Sequence, residues 1–348
     1  MNKITRYILL LILPALGLAN GASAQGMHFS QYYNAPLLLN PANAALMSDN
    51  DYRVGINYRK QWASVPVPYT TISAYGDCQF MRNSNYSNWL GLGFAFFNDK
   101  AGNGDLSLTK FNIALAYHVM MGDYSMLSAG LEGGYGQRSI NFNKLSFNQQ
   151  WDGFRFDTDL ANGEHDGIIN TSYLDVGAGI NYAYFPNEAT YIKIGAGLAH
   201  VNQPKESFYT GKTANKMGMR PTGNIDALLQ LTDRFTLNPS IYYSTQKSAS
   251  DLIFGGQGLV NVSSKGYGRE DGGTTKVILG AYYRWNEAVI GTFGMNFSGV
   301  KFMVSYDYTI STLAVDNGNK GGLELSFVYQ GMYGDMGGSR RTINCPRF

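Results

Sequence analysis

Between Leu174 and Tyr184 the side chains alternate strictly. Leu174, Val176, Ala178, Ile180, Tyr182 and Tyr184 fall on one face, and Asp175, Gly177, Gly179, Asn181 and Ala183 on the other. A period of two with one greasy face is the pattern of a β-strand. The pattern returns in about 14 segments, starting at Tyr52–Tyr58 and ending at Gly322–Gln330. Charges keep to one face in each. Lys301 and Asp307 oppose Val300, Phe302, Val304, Tyr306 and Tyr308, and Lys276 and Arg284 oppose Val277, Leu279, Tyr283 and Trp285. Such segregation is what a bilayer demands, because a Lys or Arg facing lipid at mid-depth costs roughly 2–4 kcal/mol.

Segment length points the same way. A tilted strand crosses the hydrocarbon layer with about 9–11 residues, near the length of these segments, whereas strands of a soluble sandwich run about 5–6 residues with polar outer faces. Only 15% of residues are charged, against about 25% in an average soluble domain. Mean hydropathy is −0.20, which flags no membrane protein, but lipid-facing and lumen-facing residues of a barrel average out. The expected fold is all-β: a transmembrane outer-membrane β-barrel of about 14 antiparallel strands over 51–331.

The flanks differ from the barrel. Lys3 and Arg6, the apolar run Tyr7 to Leu18 and Ala22-Ser23-Ala24 predict a signal peptide over 1–24. Losing Lys3 and Arg6 takes the basic count from 27 to 25, equal to the 25 acids, so the mature chain has no basic excess for nucleic acid. Segment 25–50 holds Pro36 and Pro41 and does not alternate; it predicts a periplasmic arm or a plug. Residues 332–348 would be a periplasmic tail. Cys78 and Cys345 are a candidate disulfide, because strand 69–78 should descend to the side where the tail lies; two unpaired thiols are the alternative.

Turns of two residues at 122–123, 186–187 and 233–234 against long connections at 139–171 and 202–223 suit a barrel with short periplasmic turns and long outer loops. The parity is imperfect late in the chain. Connection 264–274 is long for a periplasmic turn, and 285–287 and 298–299 are consecutive tight turns. Either one strand is miscounted or one outer loop is short.

No constellation for catalysis, cofactor or metal emerges. His28, His118, His165 and His200 lack metal-ligand spacing, and no Gly-x-Ser-x-Gly is present. Gly177-Ala178-Gly179 and Gly195-Ala196-Gly197 lie inside alternating strands with no helix following, so they are not phosphate loops; glycine on an inward face leaves room for a plug or neighbouring side chains. Loop 139–171 carries Trp151, Phe154 and Phe156 beside several acids, a candidate protein-contact surface with a solvated acidic loop as the alternative. In the arm, Phe29, Tyr32, Tyr33, Leu38 and Leu39 are candidates for plugging the lumen or touching a partner.

Several motifs resemble a known family. Phe29-Ser30-Gln31-Tyr32-Tyr33, Leu38-Leu39-Asn40-Pro41-Ala42 and Asn57-Tyr58-Arg59-Lys60-Gln61-Trp62 followed by Tyr69-Thr70-Thr71 are similar to the start of mature PorP/SprF proteins of Bacteroidetes. Ser305-Tyr306-Asp307-Tyr308 and the final strand with Glu324 look like that family's closing strands. The resemblance implies a multi-pass outer-membrane component of the type IX secretion system, linked to gliding motility. It implies contacts with outer-membrane lipid, with periplasmic secretion components, and with a large secreted adhesin or its C-terminal domain, and no enzymatic activity. The rival readings from the residues are a general porin-like channel for small solutes and an outer-membrane hydrolase.

Overall fold

The computed structural model describes residues 28–47, 50–62, 68–83, 87–157, 159–163, 167–208, 215–262, 275–312 and 314–333. Fourteen antiparallel strands close on themselves. They are β1 (Tyr52–Gln61), β2 (Tyr69–Phe80), β3 (Asn88–Ala101), β4 (Leu106–Met120), β5 (Ser125–Asn141), β6 (Ile168–Asn187) and β7 (Thr190–Ala199). The second half is β8 (Arg220–Gln230), β9 (Phe235–Gln246), β10 (Ala249–Asn261), β11 (Thr275–Arg284), β12 (Ala288–Phe297), β13 (Val300–Thr309) and β14 (Lys320–Gly331). Each pairs with its sequence neighbour, and β1 meets β14 in register from Tyr52↔Gly331 to Gln61↔Gly322. Closure removes the free edges that an open sheet would expose in lipid.

The alternation sets the two faces. Leu174, Val176, Ile180, Tyr182 and Tyr184 are exposed on the outer wall, while Asp175, Asn181 and Ala183 are buried in the lumen. On β13 and β14, Met303, Ser305, Asp307, Glu324 and Ser326 point in, and Phe302, Tyr306, Tyr308, Leu323 and Phe327 point out. Outward tyrosines gather near both rims. Tyr58, Tyr69 and Tyr308 stand near one end with Trp285, and Tyr117, Tyr124, Tyr182 and Tyr184 near the other. Amphipathic rings at these levels suit the two membrane interfaces.

Both chain termini of the barrel lie at one end, called here the terminal end; the opposite end is the loop end. The long connections 142–167 and 200–219 belong to the loop end, where β5 and β6, of 17 and 20 residues, extend beyond what a crossing needs. The count of 14 strands stands, and the irregular parity has its source at the loop end. There, connections 247–248 and 285–287 are tight, while 262–274 joins β10 to β11 at the terminal end. Register shifts between Tyr184 and Asn187 on β6 and between Tyr306 and Tyr308 on β13, and the β8–β9 ladder is interrupted. Between β8 and β9 the pairing passes from Asp226↔Ser240 to Leu229↔Leu237, skipping the level of Pro239, which has no N–H to donate. Beyond β14 the chain is tied back to β2: the Tyr333 N–H donates to Asp51 (2.8 Å) and its hydroxyl to the Gln79 carbonyl (3.1 Å).

Candidate functional site, a plugged lumen and its open half

The arm lies inside the barrel. It enters at the terminal end beside Asp51 and runs up the lumen, so that His28 reaches the loop end. Its local shape follows from its prolines. Pro36 opens a one-turn helix, α1 (Pro36–Leu39), and Pro41 a 3₁₀ turn (Pro41–Asn43), each as the first helical residue, where a missing N–H is harmless. Asn40 caps the second turn, accepting from Ala42 N at 2.9 Å.

Starting from the terminal end, the arm is fixed level by level. Ala45 has a left-handed φ of 55°, held by its N–H on Asp77 (2.6 Å) and by Trp89 Nε1 donating to its carbonyl (3.1 Å). His118 Nε2 donates to the Ala44 carbonyl at 2.8 Å, which leaves Nδ1 to accept from Ser128 Oγ at 2.7 Å. Asn40 Nδ2 reaches the Ile180 and Ala196 carbonyls, each at 3.1 Å. Thr222 and Arg220 donate to the carbonyls of Leu39 (3.0 Å) and Leu38 (3.3 Å). The wall is smooth where the arm passes. A Cβ on Gly130 would lie 2.5 Å from Ala42 N and Pro41 C, and Cβ atoms on Gly91 and Gly179 would overlap Ala44 and Asn40. At Gly91 and Gly130 backbone therefore approaches backbone, and at Gly179 the Asn40 side chain reaches the wall, only because these positions are glycine.

Higher up, aromatic packing replaces amide contacts. Tyr32 stacks on Tyr242 at 5.0 Å and donates or accepts a hydrogen bond with Ser240 (2.7 Å); Tyr33 stacks on Tyr282 at 5.6 Å. Leu39 joins the Tyr32 cluster, Leu38 lies between neighbouring clusters, and Phe29 packs edge-on to Phe97 at 6.2 Å. All five arm candidates thus face the barrel's own inner wall in this structure.

At the loop end the arm meets a buried charge network. Arg59 pairs with Asp307 (2.7 Å) and Glu324 (3.1 Å), and all three side chains are almost fully buried. Glu324 accepts the backbone N–H groups of Ser30 (2.8 Å) and Gln31 (3.0 Å), and Ser30 Oγ donates to Asp307 (2.7 Å). Arg284 donates to the Phe29 carbonyl at 3.0 Å. Above it, His28 Nε2 lies 2.7 Å from Glu287. Burial would raise the Glu287 carboxyl, but His28 and Arg284 beside it hold it well below the usual carboxylate range. Buried charges of this kind persist only when paired and hydrogen-bonded.

Sequence reading passed over Arg59, Arg284, Asp307 and Glu324 as functional candidates. The signal was in the motifs themselves. Phe29-Ser30-Gln31, the stretch around Arg59, Ser305-Tyr306-Asp307 and Glu324 are far apart in the chain and converge on this one cluster.

The lumen's terminal half is different. A cavity of about 360 Å³ lies below Tyr33 and Pro36 and extends to the rim at Asn50, Gly299 and Gln330. Arg53, Lys193, Asp226 and Lys301 project from its walls among Met, Leu and aromatic side chains. Arg53 is neutralised by Asp77 and Lys193 by Asp226 at 3.4 Å.

The loop candidates lie outside the barrel. Trp151 and Phe156 meet edge-on at 5.1 Å across a short bridge, and Phe154 stands at the tip, 93% exposed. Cys78 sits near the terminal end of β2, opposite Tyr52, whereas Cys345 lies outside the described residues. Among the described residues no group of His, Cys, Asp and Glu is arranged to hold a metal.

Solved structures with this architecture are outer-membrane barrels. The toluene transporter TbuX of Ralstonia pickettii superposes with a TM-score of 0.55 at 11% identity, covering 86% of this chain and 94% of that one. The Pseudomonas putida toluene transporter TodX gives 0.49 at 9% identity over 85% and 92%, and a Pseudomonas aeruginosa FadL homologue 0.45 at 10% over 84% and 92%. At such identities the likeness is one of fold. No curated protein matches the chain in sequence. Residues 22–329 match the family described as type IX secretion system membrane protein PorP/SprF, and the chain belongs to that family of outer-membrane proteins.

Proposed function

We propose that this barrel is a docking component of the type IX secretion and gliding machinery. It binds periplasmic partners at its terminal end and supports export and surface attachment of a large secreted adhesin. The observation that carries this reading is the plugged lumen. An arm that fills the upper half, tied to the wall by a buried charge network, occupies space that a solute porin would keep open. A fixed plug joins the two ends of the barrel mechanically, which suits a protein that must hold something on each side. The barrel end that carries Asp51 and Tyr333 would then face the periplasm, and the loop bearing Trp151, Phe154 and Phe156 the surface.

Gene deletion tests the proposal directly. Loss of the adhesin from the cell surface, with cargo either retained inside or shed into the medium, is the expected result. Normal display of every secreted adhesin in the deletion strain would overturn it. Planar-bilayer recording tests the rival: a large, steadily open conductance from the intact protein would favour a small-solute channel.

A further inference from the structure

The barrel is closed across the membrane but leaves one strand uncovered above it. At the loop end β6 stays paired with β5 as far as Asn141↔Ile168, whereas its pairing with β7 reaches only Ala178↔Leu198. The Val201 N–H donates to the Val176 carbonyl at 2.9 Å, and there the ladder stops. Asn202 ends it by standing in for a strand residue. Its Oδ1 accepts from Val176 N (3.2 Å) and its Nδ2 donates to the Leu174 carbonyl (2.7 Å). His200, with a left-handed φ of 59° and Nδ1 held 2.8 Å from buried Asp175, turns the chain away from the sheet. Strand residues alternate in the side to which their backbone groups point, and on β6 Leu174 and Val176 point towards β7. Ile168, Asn170 and Ser172 continue that series. Each offers an N–H and a C=O on this side that no hydrogen bond among the described residues engages.

Natural proteins blunt such an edge with proline, lysine, a bulge or a covering segment. The stretch Ile168-Ile169-Asn170-Thr171-Ser172-Tyr173-Leu174 holds no proline and no charge, and most of its residues favour strands. It is about 20 Å long at roughly 3.4 Å per residue, the length of an ordinary strand. Ile168 and Leu174, 66% and 71% exposed, stand on its outer face at either end. We infer that this edge takes up an acidic, extended segment of a surface polypeptide as an added β-strand. Another strand supplies backbone donors and acceptors at the matching period of two, and side chains beside Ile168 and Leu174 for packing. The preference for acid comes from the neighbouring connection. Met217 N donates to the Pro204 carbonyl and Glu206 N to the Asn215 carbonyl, each at 2.9 Å. Glu206 in turn pairs with Arg138, which stands across the ladder from Thr171, so these segments lie at the level of the edge. Between them Lys205 and Lys216 are exposed and directly opposed across an antiparallel bridge, and neither forms an ion pair with a described residue. Like charges so placed repel, and an acidic strand alongside relieves that repulsion. A second copy of this chain would instead bring two such lysine pairs together. The inference rests on the docking reading above, which puts the loop end at the surface, and names the form in which a surface partner is held.

The test uses the full-length mature protein in detergent. The probe is a dye-labelled octapeptide of alternating valine and glutamate. One control peptide carries proline at the two central positions, which removes a donor from each of its edges, and another has lysine in place of glutamate. Saturable binding of the valine–glutamate peptide is expected, weakened about tenfold or more by the prolines, by the lysine exchange and by Asn170→Pro. Asn170→Pro takes away a donor on the free side while the β5 ladder, bonded through the odd-numbered residues, keeps its own. Asn170→Thr should retain binding, and Lys205→Glu combined with Lys216→Glu should turn the preference towards the lysine peptide. Heat-modifiable gel mobility checks the fold of each variant. Absence of saturable binding, equal binding of the proline-bearing peptide, or binding unchanged in Asn170→Pro would each overturn strand addition. Equal binding of the acidic and basic peptides would overturn the acidic preference. Concentration-dependent dimers that disappear in Asn170→Pro would put a second copy on the edge and overturn the proposal as well. The docking reading fails separately, through normal adhesin display in the deletion strain, and that result would leave a measured dependence on the peptide backbone untouched.

Discussion

The two halves of the lumen are built by the same fourteen strands and differ in what fills them. In the loop-end half, Arg59, Asp307 and Glu324 are matched by one another and by the backbone of Ser30 and Gln31. In the terminal half the arm meets the wall through Asp77 and Arg53, and a cavity of about 360 Å³ stays open below Tyr33 and Pro36. The difference teaches that the inner wall of a barrel is not a uniform polar lining. Its charges are placed against a specific occupant, and where the occupant belongs to the chain itself the result is a fixed plug.

The comparison breaks most visibly if the plug can be removed. Deleting 28–47 while keeping the signal peptide and barrel should turn a closed protein into one with a stable, large conductance in planar bilayers. If the truncated barrel stays closed, the upper half is sealed by something other than the arm. The next effect in size concerns the network. Glu324→Ala leaves Arg59 with Asp307 as its one carboxylate partner and strands two backbone N–H groups in a buried setting, where each unsatisfied group costs about 1–3 kcal/mol. Urea unfolding read by gel mobility should show that loss, whereas Lys301→Ala in the open half should change stability little. Smaller again is the close-approach effect. Gly130→Leu would drive a side chain into Pro41 and Ala42 and should destabilise by about 1–3 kcal/mol, while Gly133→Leu, three positions on and facing outward with nothing within 4 Å, should be nearly neutral.

Much of the fold was legible because a period of two is a local property. Leu174–Tyr184 announces its faces without reference to any other strand, and the same holds for Val300–Tyr308. The strand count survived its irregular parity for the same reason: each segment could be recognised alone, even though the tight 247–248 and 285–287 turns at the loop end broke the expected rhythm. The site was less legible because it is assembled across the chain. Nothing near Arg59 in sequence says that Asp307 and Glu324 will stand beside it; only barrel closure, through the β1–β14 seam, brings them together. The arm's aromatic residues could be picked out, but not the level of the lumen at which each would pack.

The mildest way to sharpen the comparison is pH, and its sign can be worked out at Glu287. This carboxyl lies in the 285–287 turn beside His28 and Arg284, and although burial alone would raise it, those neighbours hold it below its ordinary value. A group with a lowered folded-state value binds protons more readily when unfolded, so its contribution is present at neutral pH and above the usual glutamate pKa of about 4.3, and is lost as pH falls through the folded-state value. Acidification should therefore loosen the top of the arm while leaving the contacts of Asn40, which use amides and carbonyls, in place. Deuterium uptake, corrected for intrinsic exchange, should rise at residues 28–31 below about pH 4 and stay low at Asn40 and Ala42. In Glu287→Gln the upper segment should exchange faster already at neutral pH and lose most of its acid dependence. Uniform loosening of the whole arm would mean that its two ends are held by one cooperative unit, and that the division of the lumen into halves ends at the cavity rather than extending into the plug.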